Sequence, residues 1–186
     1  MDSTEKLLDE VDTQIDFLLN VRSLFPYPHD ESIGKQQIRT APFYSNQGYD
    51  VHFQFDKPLT EEHVAKIKAI GHWVNQNFVV RLCAILESYG VIPRDGEGKI
   101  NQNLEGSIEV DLVRRLRNQF AHSSGRYNSK DQKERKLYSR IVDHFNVTEA
   151  LDPDIATDYP ISIDIVLLPL AEGCKKYITN IYLPDV

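Results

Sequence analysis

The feature that most constrains this chain is a helical stretch running from Thr60 to Tyr89. Thr60 can cap a helix, Glu61 and Glu62 oppose the positive end of its dipole, and Gly90 ends the pattern. At 1.5 Å per residue such a helix is about 45 Å long, enough to serve as the central element of a helical core. Other segments repeat the theme. Leu7, Leu8, Val11, Ile15, Leu18 and Leu19 recur at helical spacing between Thr4 and Leu24, with Ser3 or Thr4 placed as the cap. A third helix is predicted from Ser107 to about His122 and a fourth from about Ser129 to Phe145, with Leu137, Ile141 and Phe145 four apart. The last runs from near Asp164 to Tyr182, with Pro169 in its first turn or kinking it.

The fold class expected is therefore all-α, an up-and-down bundle of four to five helices. Between the first two helices, residues 25–58 are rich in Pro, Gly and polar residues and lack a helical period. This segment is expected to be a long ordered excursion in which "VHFQF" alternates as a strand and forms a short hairpin. Its aromatics, Phe25, Tyr27, Phe43, Tyr44, Tyr49, Phe53 and Phe55, are expected to pack as anchors, although such rings can also stack on splayed RNA bases. The 186 residues fit one domain spanning 1–186.

Composition excludes several classes. With 41% hydrophobic and 26% charged residues the chain is far from a disordered composition. Its most apolar run, "IDIVLLPLA", is interrupted by Pro169 and is shorter than the ~18 residues a membrane helix needs. The acidic, polar start "MDSTEKLLDE" does not resemble a secretory signal, so a cytoplasmic protein is expected. Cys83 and Cys174 lie in apolar surroundings and are expected to be buried free thiols. "DPDIATD" fails as a calcium loop, because Ala156 replaces a ligand and Ile163 stands where the bidentate Glu belongs. "GEGKI" lacks the spacing and hydroxyl residue of a phosphate loop, and the histidines include no pair at metalloprotease spacing. Neither a metal nor any other cofactor is expected.

Charge is distributed unevenly. Nine basic residues between Arg114 and Arg140 face two acidic ones, so this segment carries +7 and leaves −14 for the rest of a chain whose net charge is −7. A segment of this kind is either a solvated helix face or a track for a phosphate backbone. Arg114, Arg115, Arg126, Lys130 and Lys133 are its candidate RNA-binding residues.

The stretch "RLRNQFAH" lies at the start of this segment. On a helical wheel Leu112, Val113, Leu116 and Phe120 form the buried stripe, while Arg115, Asn118 and His122 share the opposite face. Arg117 is offset from His122 by five residues, about 140°. A regular helix does not present the two together. A loosened end near Ser123 and Ser124, a bent arginine, or a second subunit is needed to bring them into one site. Histidine suits proton transfer near neutral pH, and a guanidinium suits the charge that develops on a phosphate in flight. Read without that chemistry, the same residues are polar groups on a solvated face, with Arg117 paired to an acid and His122 favoured by the helix dipole.

"RNQFAH", within "VRRLRNQFAHSSG", resembles the signature of the HEPN superfamily (higher eukaryotes and prokaryotes nucleotide-binding). The specific likeness covers about a dozen residues, with the helical layout extending it loosely along the chain. The resemblance implies a helical homodimer whose two motifs face each other. It further implies a metal-independent endoribonuclease of toxin–antitoxin, phage-defence or RNA-processing systems, with Arg117 and His122 catalytic and Asn118 supporting them. Its partners would be RNA, a second copy and a cognate antitoxin or defence-system protein, and not a membrane. Ser124 stands where the subgroup paired with a nucleotidyltransferase antitoxin carries tyrosine. The superfamily also contains members that bind or dimerise without cutting.

Overall fold

The computed structural model describes residues 3–40, 51–93, 99–122 and 125–182, with the backbone alone for His122. Five α-helices, α1 (Ser3–Ser23), α2 (Glu61–Ser88), α3 (Ser107–His122), α4 (Gln132–Phe145) and α5 (Leu168–Tyr182), dominate these residues, so the fold is an all-α helical bundle. The one sheet described pairs β1 (Gln37–Arg39) with β2 (His52–Gln54). The chain divides into two compact units, residues 15–75 and the remainder, 1–14 with 76–186.

In the larger unit, Leu7 and Val11 of α1, Val79, Leu82 and Leu86 of α2, and Val110, Leu112, Val113 and Leu116 of α3 are all fully buried. Each such aliphatic side chain contributes about 1.5–3 kcal/mol on leaving water, so this apolar face holds α3 in place. α3 and α5 approach closely at two glycines. Gly106 has φ +84°, and a Cβ there would overlap the Gly173 carbonyl and Tyr177; one on Gly173 would overlap Glu109. The Tyr177 hydroxyl accepts from the Asn101 backbone N–H at 2.8 Å, which ties α5 to the segment leading into α3.

α4 starts three residues later than the sequence pattern suggests. Asp131 caps it, accepting from the backbone N–H groups of Lys133 (2.7 Å) and Glu134 (3.2 Å), so the aspartate rather than Ser129 marks the boundary. Asn146 ends it in the left-handed conformation at φ 51°. Before α5, residues Ile163–Leu167 form a π-helical turn. Pro169 is the second residue of α5 and has no N–H, so the proline falls in the first turn as expected. The wide turn before it is closed by Leu167 N–H to Ser162 O at 2.9 Å.

The smaller unit has its own core of Ile38, Leu59 and Val64, against which Phe53, Phe55 and Ile67 pack. β1 and β2 are antiparallel, with Ile38 opposite Phe53. "VHFQF" is thus a strand as its alternation implies. Phe53 and Phe55 are anchors, while Phe43, Tyr44 and Tyr49 lie outside the described residues. Arg22 is buried at the end of α1, its guanidinium 5.6 Å from the Phe25 ring centre and 6.0 Å from that of Tyr27. Gly71 leaves room for it, since a Cβ there would overlap the guanidinium. Thr60 Oγ1 caps α2 by accepting from the His63 N–H at 3.3 Å. Both cysteines are buried free thiols. No described helix is long and apolar enough to cross a membrane.

Candidate nucleic-acid interface

α3 is amphipathic in the way its wheel requires. Leu112, Val113 and Leu116 are fully buried and Phe120 nearly so, whereas Arg114, Arg115 and Asn118 are exposed. The helix stays regular through His122, so the five-residue offset from Arg117, about 140°, holds for the backbone. The His122 side chain and Ser123 and Ser124, where a loosened end would fall, lie outside the described residues.

Arg117 is half-buried and reaches toward α2. Its Nη1 donates to Asn118 Oδ1 at 3.2 Å, and its Nη2 lies 4.0 Å from Glu87 Oε2. At that separation and exposure the ion pair is worth about 0–1 kcal/mol, which leaves the guanidinium free to take a second oxyanion. The other Glu87 oxygen, Oε1, accepts from Cys83 Sγ at 3.7 Å. Burial, then the Glu87 charge, pushes the Cys83 thiol up to about 12, against the opposing pull of Arg117 and Arg114. Cys83 is therefore a neutral thiol at physiological pH. Asn118, expected to support Arg117 and His122, uses its carbonyl oxygen on Arg117 and keeps its amide donor.

The sequence-predicted basic residues divide into two sets. Arg114 and Arg115 converge on Asp111, with Arg114 Nη2 at 2.7 Å from Oδ1 and Arg115 Nε at 2.7 Å from Oδ2. Arg140 of α4 joins them through Nη1 at 2.5 Å from Oδ2. Burial works against the Asp111 charge, but the hydrogen bonds from Arg114, Arg140 and Arg115 outweigh it and hold the carboxyl below its usual range. Asp111 is 7% exposed, while the three arginines are 35–53% exposed, so one buried carboxylate fixes three cations at the surface. Two positive charges remain unbalanced there. Arg126, Lys130 and Lys133 are exposed and stand outside this hub.

The segment leaving the motif is anchored at several points. Gln76 Nε2 donates to the Gly125 carbonyl at 2.9 Å, and Gly125, at φ +74°, has no room for a Cβ beside that glutamine. Glu134 is buried and accepts from the Asn128 N–H at 2.8 Å and from the Tyr159 hydroxyl at 3.3 Å. Tyr127, Tyr138 and Tyr159 pack against one another at ring-centre separations of 4.9–6.5 Å, and Tyr159 meets the Phe120 ring at 6.0 Å. Burial raises all three tyrosine hydroxyls above their usual range. These rings tie α3 to α4 just behind the motif.

Glu87, Asp111 and Arg140 were not among the residues singled out from the sequence. Asp111 had a local signal, lying three and four residues before Arg114 and Arg115 on one helix. Glu87 had none, because it comes from a different helix. Among the described residues no three His, Cys, Asp or Glu side chains converge as a metal ion requires.

A comparison with family models found no match, and no curated protein or solved structure matched the chain either.

Proposed function

We propose that this chain is a HEPN-type, metal-independent endoribonuclease of the toxin or phage-defence kind, acting in the cytoplasm as a homodimer. In this reading His122 exchanges a proton with the ribose 2′-hydroxyl or the leaving oxygen. The 2′-oxygen forms a bond to phosphorus, the bond to the 5′-oxygen breaks, and a cyclic phosphate is left. Arg117 binds the phosphoryl oxygens through its planar pair of donors, with Asn118 holding that guanidinium. RNA and a cognate antitoxin or defence-system protein are the partners.

The observation that carries the reading is the state of Arg117. It is half-exposed, only loosely paired to Glu87 at 4.0 Å, and lies on a helix whose neighbouring arginines outnumber the one acid that holds them. The 140° backbone offset from His122 favours a site completed by a second copy, since two-fold symmetry brings the same patch from both chains together.

A second reading, a non-catalytic module that binds RNA, nucleotide or a partner protein and dimerises, is favoured by the same arginine's contacts. One of its donors is already used on Asn118 at 3.2 Å, and the other stands 4.0 Å from the Glu87 carboxylate.

Purified protein incubated with a mixed RNA pool in chelator tests both. Cyclic-phosphate-ended fragments that vanish in His122→Ala and in Arg117→Ala are expected. RNA binding without cleavage, weakened by the arginine change, would replace the first reading with the second.

A further inference from the structure

α4 carries an open groove of about 870 Å³ that the motif does not use. Lys130, Arg135, Lys136 and Arg140 line it with Asp143 and His144, four cations against one carboxylate that has no ion pair among the described residues. Two of the cations are occupied. Arg135 pairs with Asp154 at 2.8 Å and Arg140 with Asp111. His144 pairs with Glu109 at 2.8 Å. Lys130 and Lys136 are exposed, and no carboxylate among the described residues lies within ion-pair distance of either. The groove thus presents two unpaired ammonium groups, with the surplus charge of the Asp111 hub at its wall.

The hub also gives the groove a direction. Arg140 joins the groove wall to Asp111, and Asp111, Arg115, Asn118 and His122 follow one face of α3 at helical spacing. From Asp111 to His122 is eleven residues, about 16 Å along the axis. Even at the about 3.4 Å per nucleotide of a duplex strand, nucleic acid covers that distance in about five nucleotides, and an extended single strand needs fewer. The surface is open and its cations are spread over α4 and the turn before it, which suits an extended polyanion.

We propose that the α4 groove anchors the phosphodiester backbone of single-stranded RNA, a few nucleotides from the position of the motif. The choice of RNA over other polyanions rests on the endoribonuclease reading. Lys130 and Lys136 each neutralise one phosphate. Arg135 and Arg140, held by their carboxylates, shape the wall.

The test measures binding rather than cleavage. A labelled single-stranded RNA of roughly twenty nucleotides is titrated against His122→Ala protein in chelator, with and without Lys130→Glu and Lys136→Glu, over a range of salt. Both lysines are exposed, so the fold should survive, and circular dichroism verifies it. The double change is expected to weaken binding at least about tenfold at low salt and to reduce the log–log salt slope by about 1.4, two phosphates at about 0.7 each. Unchanged affinity and slope, or no RNA binding at all, would overturn the proposal. So would polyglutamate displacing the RNA as well as unlabelled RNA does. If wild-type protein never cleaves while binding still depends on the two lysines, the endoribonuclease reading fails and the groove stands.

Discussion

Arg117 and Glu87 face each other at 4.0 Å, from α3 and α2, and the same carboxylate accepts a hydrogen bond from the buried Cys83. One acid therefore moderates both a cation and a thiol. Glu87→Gln keeps the shape and removes the charge. RNA affinity is expected to rise by up to about fivefold at low salt, the equivalent of about 1 kcal/mol for a partly exposed pair. The Cys83 thiol should fall from about 12 while burial keeps it above its ordinary 9.0. Peptide-resolved alkylation across alkaline pH reads the thiol, and an RNA titration reads the guanidinium; no movement in either would show that Glu87 governs neither.

The separation of Arg117 and His122 around α3 makes a stoichiometric prediction. If each site takes its arginine from one chain and its histidine from the other, mixing Arg117→Ala with His122→Ala subunits rebuilds one site in every mixed dimer. Random exchange then restores about a quarter of wild-type cleavage from two inactive proteins. A site contained within one chain gives no restoration.

Asp111 should be a stability residue with a defined pH signature. Asp111→Asn leaves three guanidiniums around a neutral amide and is expected to cost about 1–3 kcal/mol, discounted for the partial exposure of the arginines. The carboxyl is held below its ordinary 3.8, so its contribution is fully present above that value and is lost as pH falls through the lower folded-state value. The difference between wild type and variant should be constant near neutrality and shrink below about pH 4. Denaturant midpoints measured across that window check both the size and the sign.

Gly106→Ala puts a methyl group at φ +84° against the Gly173 carbonyl and Tyr177. Strain and overlap act together, so a loss of more than about 1 kcal/mol is expected, with a lower thermal midpoint. Gly90→Ala, at φ +75° in open space, carries the strain without the overlap and should cost less.

The helices were legible because each has a local signal. The apolar stripe of Leu112, Val113, Leu116 and Phe120 specified both the existence and the buried face of α3, and Thr60 with Gly90 bracketed α2 to within a residue or two. β1 had no comparable signal. Gln37–Arg39 is three residues long and becomes a strand by pairing with His52–Gln54, a non-local event. The same divide separates the parts of the candidate interface. Arg114, Arg115 and Asn118 could be placed on an exposed face from spacing, whereas the approach of Arg117 to Glu87 and of Arg140 to Asp111 depends on which helices pack together. Lys130 stood out by charge alone; that it shares a groove with Lys136 depends on the turn that carries the chain into the Asp131 cap of α4.

The chain has one tryptophan, Trp73, 62% exposed in the unit formed by residues 15–75, while the ring cluster of Tyr127, Tyr138, Tyr159 and Phe120 belongs wholly to the other unit. Tryptophan emission therefore reports on one unit alone, and Trp73→Phe leaves a near-ultraviolet dichroism weighted toward the stacked tyrosines of the other. That dichroism follows the packing behind the motif. Coincident melting of the two signals means a single cooperative transition; divergence means that α3 and α4 unfold independently of the β1–β2 unit.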